Sequence, residues 1–170
     1  MSGLDLLETE RLVLSGWRDG QVDDLMRLHG DAEISRYLSA SGAPWSRQQC
    51  AEALAGYIEL FETRQLGKLR VTRKSDGVLV GRAGFGMHEG EPELGYALYR
   101  QFWGQGYASE AALALRDWFF GGNRGERFLG VVDVRNAASL KVLHRVGMVD
   151  THIGDYEGAE CQYLEMRKPA

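Results

Sequence analysis

From Glu93 to Ala111 the chain reads Glu93-Leu94-Gly95-Tyr96-Ala97-Leu98-Tyr99-Arg100-Gln101-Phe102-Trp103-Gly104-Gln105-Gly106-Tyr107-Ala108-Ser109-Glu110-Ala111. An apolar extended run, a glycine turn and a helix start are consecutive there. Such a turn aims several backbone N–H groups and the positive end of a helix dipole at one place. The chemistry this suits is the binding of an anion, a pyrophosphate above all. Gly104 and Gly106 remove Cβ atoms where phosphate oxygens must approach the backbone, and either residue can take a positive φ. The same spacing also suits a plain strand-to-helix turn. No Gly-Lys-Ser/Thr follows the glycines, and Ser109 stands where GxGxxG has its third glycine, so nucleotide hydrolysis and dinucleotide binding lose support.

Other reactive constellations are missing from the pattern. His29, His88, His144 and His152 are dispersed, without HExxH or cysteine-rich spacing, and no metal is expected. There is no GxSxG elbow for a serine nucleophile. Cys50 and Cys161 form no CxxC pair and are expected to be structural thiols without a disulfide.

The elements that must carry the turn follow from periodicity. Arg11 to Ser15 alternates as a strand, and Val22, Leu25 and Met26 then fall at helical spacing. Ser46-Arg47-Gln48-Gln49 is a capping box ahead of the stripe Cys50, Leu54, Tyr57, Ile58 and Phe61. From Leu69 the period changes to two, Ser75-Asp76-Gly77 supplies a turn, and Val78 to Met87 is extended again. Glu91-Pro92 breaks the chain before the strand Leu94 to Tyr99. Tyr107 to Phe120 then carries Ala108, Ala111, Leu115 and Trp118 on one face, with Trp118 and Phe119 expected in the core. Phe128 to Val134 is a strand. Asn136 sits at an N-cap position, Leu140 and Leu143 face inward, and Gly147 stops that helix. Met148 to Ile153 and Gln162 to Met166 close the sheet. The expected order is βα-α-βββ-α-β-α-ββ.

With 170 residues and 44% hydrophobic composition the chain suits one domain over 1–170, without repeat or linker. A net charge of −4 and a pI of 5.6 speak against a broad nucleic-acid footprint. Met1 to Thr9 has no signal-like pattern and no stretch matches a membrane span, so the expectation is a cytoplasmic protein without membrane contact.

Gln101-Phe102-Trp103-Gly104-Gln105-Gly106 resembles the Q/R-x-x-G-x-G/A acetyl-CoA signature of the GNAT superfamily. Thr9-Glu10-Arg11-Leu12-Val13-Leu14, Glu93-Leu94-Gly95-Tyr96, Trp103 to Ala111, and Asn136-Ala137-Ala138-Ser139-Leu140-Lys141-Val142-Leu143 resemble its ribosomal-protein N-terminal acetyltransferase branch, over nearly the whole chain. The resemblance implies an α/β (α+β) fold. A mixed, twisted central sheet of six to seven strands splays into a V, flanked by four helices, with acetyl-CoA as acetyl donor and an amine, a protein N-terminus or a small molecule, as acceptor. It also implies that backbone near Tyr96, Ala97 and Leu98 pairs with the pantetheine, one N–H serving as oxyanion donor. The amides of Trp103, Gly104, Gln105, Gly106, Tyr107, Ala108 and Ser109 would hold the pyrophosphate, and Asn136 would contact the cofactor arm or simply cap its helix. Homodimers are common in the resembled family.

By the same resemblance Glu93 is the candidate base, with His88 a weaker one and Glu89 and Glu91 better read as solvated carboxylates. A tyrosine seven residues after the asparagine often protonates the departing thiolate, but here that position is Leu143. Ser139 is the substitute candidate, unless it only satisfies backbone or water serves instead. The absent tyrosine keeps open an acyl-CoA sensor without turnover, and an enzyme for longer acyl chains is a further alternative. Tyr37, Trp45 and Phe85 are expected to edge the amine pocket, or else to be ordinary packing. An α-amine with a pKa near ~7.7 suits a weak base better than a lysine near ~10.4.

Overall fold

The computed structural model describes residues 4–170, so the start of the Met1–Thr9 segment lies outside it. In chain order the strands are β1 (Asp5–Glu8), β2 (Leu12–Ser15), β3 (Gly67–Arg73), β4 (Leu79–His88), β5 (Glu91–Leu98), β6 (Arg127–Asp133), β7 (Val149–Tyr156) and β8 (Ala159–Arg167). The helices are α1 (Val22–His29), α2 (Ala32–Ser35), α3 (Arg47–Arg64), α4 (Tyr107–Gly121) and α5 (Ala137–Val146), with a 3₁₀ turn over Arg100–Phe102. All strands join one eight-stranded sheet in the order β1-β2-β3-β4-β5-β6-β8-β7.

The expected α/β architecture is present with two additions, β1 and α2. Each is four residues long. A segment of that length shows no full period of two or 3.6, so its conformation is set by what it packs against. Two strand boundaries also move. Glu91-Pro92 lies inside β5, and the turn before it is Glu89-Gly90, with φ of 50° and 83°. Glu157-Gly158, at 50° and 87°, closes the β7–β8 hairpin in the same way. Both turns have the two positive φ values of a type I′ turn, whose right-handed twist matches the flanking strands.

The capping box of α3 forms as its sequence requires: Gln49 N donates to Ser46 Oγ (3.2 Å) and Ser46 N to Gln49 Oε1 (2.8 Å). One face of the sheet carries α4 and α5. Phe85 of β4, Phe119 of α4 and Phe128 of β6 meet there with ring centroids 4.9 to 5.3 Å apart. Phe119 is fully buried, whereas Trp118 is half-covered beneath the Arg124 guanidinium at 3.6 Å. The opposite face carries α1 and α3. Its apolar cluster is Trp17, Leu25, Cys50 and Leu54. Coverage on both sides explains why Val80 to Phe85 are buried without alternation, while β7 at the sheet edge is mostly exposed.

One junction is not antiparallel. β5 and β6 run parallel and register only at Glu93↔Leu129. β5 stays paired with β4 from Glu91 to Leu98, and β6 with β8 from Arg127 to Asp133. Beyond Glu93 the two halves of the sheet therefore part, and a fork opens.

Candidate active site

The fork is flanked by the glycine turn. Gly104 and Gly106 have φ of 74° and 82°, and a Cβ on Gly104 would meet nothing within 4 Å. Trp103 N donates to the Arg100 carbonyl (3.1 Å), and the next backbone bond donated from this segment is Glu110 N to the Gly106 carbonyl (3.0 Å). The N–H groups from Gly104 to Ser109, the Gln105, Gly106, Tyr107 and Ala108 amides among them, have no backbone acceptor among the described residues. They form the open donor row that an anion needs.

The turn is anchored from far away in sequence. Thr9 Oγ1 (2.6 Å) and Arg11 N (2.9 Å) donate to Glu110 Oε1, and Arg11 Nε to Oε2 (2.7 Å). Arg11 Nη1 reaches the Gln105 carbonyl at 3.0 Å, with the guanidinium over the Tyr107 ring. Partial burial opposes ionisation of Glu110, but the hydrogen bonds from Thr9 and Arg11 outweigh it and hold the carboxyl below its ordinary pKa. Arg145 Nη1 donates to Ser109 Oγ at 3.0 Å. Two guanidinium groups, Arg11 and Arg145, thus stand beside the turn. Neither was singled out by the local pattern; the Thr9 to Leu14 segment was the only pointer to the first.

On the α5 side of the fork, Asn136 caps its helix by accepting from Ser139 N (3.2 Å). Ser139 Oγ and Tyr96 Oη are 2.9 Å apart. Burial pushes the Tyr96 phenol up, with the Ser139 hydrogen bond acting the other way, so its proton is retained well past neutrality. Leu143 is core, 2% exposed, and contributes nothing to the fork. Trp103 is exposed, and its Nε1 donates to the Leu98 carbonyl at 2.9 Å.

The α1 and α3 side brings together residues from five strands: Lys68, His88, Glu93, Tyr156 and Tyr163. The His88 ring lies 5.2 Å from Tyr156 and 5.6 Å from Tyr163. His88 Nε2 is buried without a hydrogen bond among the described residues, 3.9 Å from the Glu89 carboxylate. Glu93 is half-buried at the fork. Burial raises the pKa values of Tyr156, Tyr163 and Cys161, and the charge of Glu93 adds to each. Sequence spacing had pointed only to Glu93 and, weakly, to His88; the rest are scattered over the chain and only the sheet collects them.

The expected pocket aromatics divide. Tyr37 is half-buried between the Arg36 and Arg135 guanidinium groups, at 5.3 and 5.5 Å, beside a shallow cleft lined by Ala40, Asp133, Arg135 and Gly158. Trp45 stacks on His29 at 3.9 Å and roofs that buried imidazole. Phe85 does not edge a pocket and is ordinary packing: at 1% exposure it belongs to the aromatic core under α4, on the face away from Glu93, because its neighbours Gly84 and Gly86 take the positions of β4 that face the α1 and α3 side. Among the described residues no three His, Cys, Asp or Glu side chains are grouped to hold a metal, and no helix is long and apolar enough to cross a membrane.

The fold has counterparts among known proteins. An uncharacterized N-acetyltransferase, p20, of Bacillus licheniformis is 28% identical over 168 residues, covering 96% of this chain and 93% of that one. An acetyltransferase structure from Agrobacterium tumefaciens superposes with a TM-score of 0.79 at 24% identity, covering 95% and 93% of the two chains. The ribosomal L7/L12 α-N-protein acetyltransferase RimL, solved with coenzyme A, gives a TM-score of 0.81 at 20% identity over 96% and 97%. A family model for the acetyltransferase (GNAT) domain matches residues 11–149, which span the glycine turn and the strands β5 and β6 of the fork, and the chain belongs to that acetyltransferase family.

Proposed function

We propose that the protein is an acetyl-CoA-dependent N-acetyltransferase that acetylates a primary amine by direct attack in a ternary complex. The observation that carries this reading is the single parallel register of β5 and β6 at Glu93↔Leu129. It leaves the backbone of Tyr96, Ala97 and Leu98 beside an open fork, with the donor row of Gly104 to Ser109 at one side and a carboxylate at its apex. Bound acetyl-CoA supplies an activated acyl group as a thioester. Its pyrophosphate suits the turn N–H groups, with Arg11 and Arg145 nearby, and its extended arm suits the free strand edge.

Glu93 takes the proton from the acceptor ammonium, directly or through one water, and so releases the attacking lone pair. A strand N–H of the Tyr96 to Leu98 segment faces the carbonyl oxygen as charge develops on it. Ser139 supplies a proton to the departing sulfur and is held for this by Tyr96, whose buried phenol stays protonated and can reload it. This pair replaces the tyrosine that Leu143 displaces. RimL, by its name, acetylates the α-amine of a ribosomal protein; an α-amine is the acceptor class favoured here as well, since it needs the weaker base.

Burial of Leu143 also suits a sensor that binds acyl-CoA without turnover. Measuring free CoA release over a panel of amines, from N-terminal peptides to polyamines, separates the two. Amine-dependent release is the expected result. Tight acetyl-CoA binding with no release above hydrolysis on any amine would overturn the enzymatic reading.

A further inference from the structure

On the acceptor face, Lys68 takes an unusual path. It projects from β3 across a run of glycines: its Cε and Nζ lie 3.4 and 3.8 Å from where a Cβ on Gly86 would stand, and its Nζ fills the space a Cβ on Gly95 would occupy. Gly86 pairs with Glu93, and Gly84 with Gly95. The two glycines therefore make way for an ammonium on the same face as Glu93. Gly95 is two residues beyond Glu93, roughly 7 Å along the strand, where the fork begins.

This cation has a second one behind it. Arg82 is 5% exposed, and its Nε donates at 2.9 Å to Nε2 of His29, with Tyr57 under the guanidinium. Burial first, then the charges of Arg82 and Lys68, push the His29 pKa down to about 2, so the imidazole is a neutral partner and returns no charge. The neighbouring Arg70, by contrast, is paired with Asp24 at 2.7 Å. Neither Lys68 nor Arg82 has a carboxylate within salt-bridge distance among the described residues. Burial pushes the Lys68 pKa down to about 8, Glu93 opposing and Arg82 reinforcing the shift. Glu93 is the carboxylate whose charge acts on Lys68, while Arg82, buried behind it, adds a second positive charge without a carboxylate of its own, and a charge withdrawn from water without its complement is unfavourable. An anion on the acceptor supplies that complement.

Resting on the acetyl-transfer reading above, we propose that Lys68, backed by Arg82, is an anion-recognition site, and that the acceptor is an amine carrying a carboxylate a few bonds from its nitrogen. Glu93 receives the amine end and Lys68 the anion end. In its reactive form, with the amine neutral, such an acceptor brings the one negative charge the face lacks. The carboxylate belongs either to a free α-amino acid or to an acidic side chain at a peptide N-terminus.

The test uses two matched pairs, glycine with glycinamide and Asp-Ala amide with Asn-Ala amide, on the parent and on Lys68→Met. Methionine matches the length of lysine and needs no counter-charge, so the variant is expected to fold; its thermal stabilisation by CoA checks this. For each pair the anionic-to-neutral ratio of kcat/KM is divided by the same ratio for the variant, which cancels the different basicities of the amines. A quotient of about tenfold or more in one pair is expected, and the pair that shows it identifies the source of the carboxylate. A quotient near one in both pairs overturns the proposal. If no amine is acetylated, thermal shifts of CoA-saturated protein with the same four compounds decide separately. Stabilisation of the parent but not of Lys68→Met by an anionic member keeps the anion site and removes the transferase reading. Equal response of parent and variant overturns the site.

Discussion

The two flanks of the fork are built on opposite principles. The turn from Trp103 to Glu110 is contiguous, and its open donors are backbone N–H groups made available by two glycines with positive φ. The acceptor face takes one side chain each from β3, β4, β5, β7 and β8 and depends on their register. On the function proposed above, the backbone donors recognise the pyrophosphate of the shared acetyl donor. On the same proposal, the side chains collected from distant strands set what is particular to this chain, since any one can change without disturbing the ladder beneath it. Contiguity therefore goes with a common ligand and dispersal with specificity.

The sharpest break in that comparison is Glu93→Gln. It is expected to leave acetyl-CoA affinity intact while lowering kcat/KM by roughly 10²–10⁴-fold near neutral pH. The loss should shrink as pH rises toward the acceptor's own pKa, because solution then supplies neutral amine. Ser139→Ala should not be repaired in this way, its defect lying in departure of the thiolate. A pH–rate profile of Glu93→Gln that overlays the parent's would remove Glu93 from the proton path.

Gly104→Val probes the other flank. The space beyond the Cα is open, so the variant should fold at the cost of placing a branched residue at φ of 74°, roughly 1–2 kcal/mol. Its side chain would stand in the donor row. Thermal stabilisation by acetyl-CoA should fall by the equivalent of about tenfold or more in affinity, whereas the ratios that report on Lys68 should not move. Full stabilisation of the folded variant would take the pyrophosphate away from this turn.

Glu110→Gln is the mildest test and addresses the anchor alone. Removing the charge weakens the bonds from Thr9 and Arg11, for a loss of about 1 kcal/mol at pH 7. The folded carboxyl titrates below its ordinary value of 4.5. Its contribution is therefore complete above that value and disappears as pH falls through the folded pKa, so the melting curves of parent and variant should converge in acid. A constant gap from pH 7 down to pH 3 would show that the cost is steric.

What could be read along the chain was whatever depends on neighbours in sequence. The turn glycines, the Ser46 capping box, the Asn136 cap and most strand and helix positions follow from local steric and hydrogen-bonding rules acting within a few residues. The Glu-Gly turns escaped because glutamate is no signal for a positive φ; the tight closure of two long strands forces it there. Phe85 stood open between pocket edge and packing for a related reason: alternation says that one face of β4 differs from the other but not which layer each one meets. Only the sheet order decided that, by covering one face with α4 and leaving Gly86 and Gly95 as a path for Lys68. The joining of Thr9 and Arg11 to Glu110, across about a hundred residues, and the parting of β5 from β6 after Glu93 likewise have no local cause. The first comes from packing α4 beside the β1–β2 turn, and the second from β6 registering with β5 at one position while it pairs with β8 from Arg127 to Asp133.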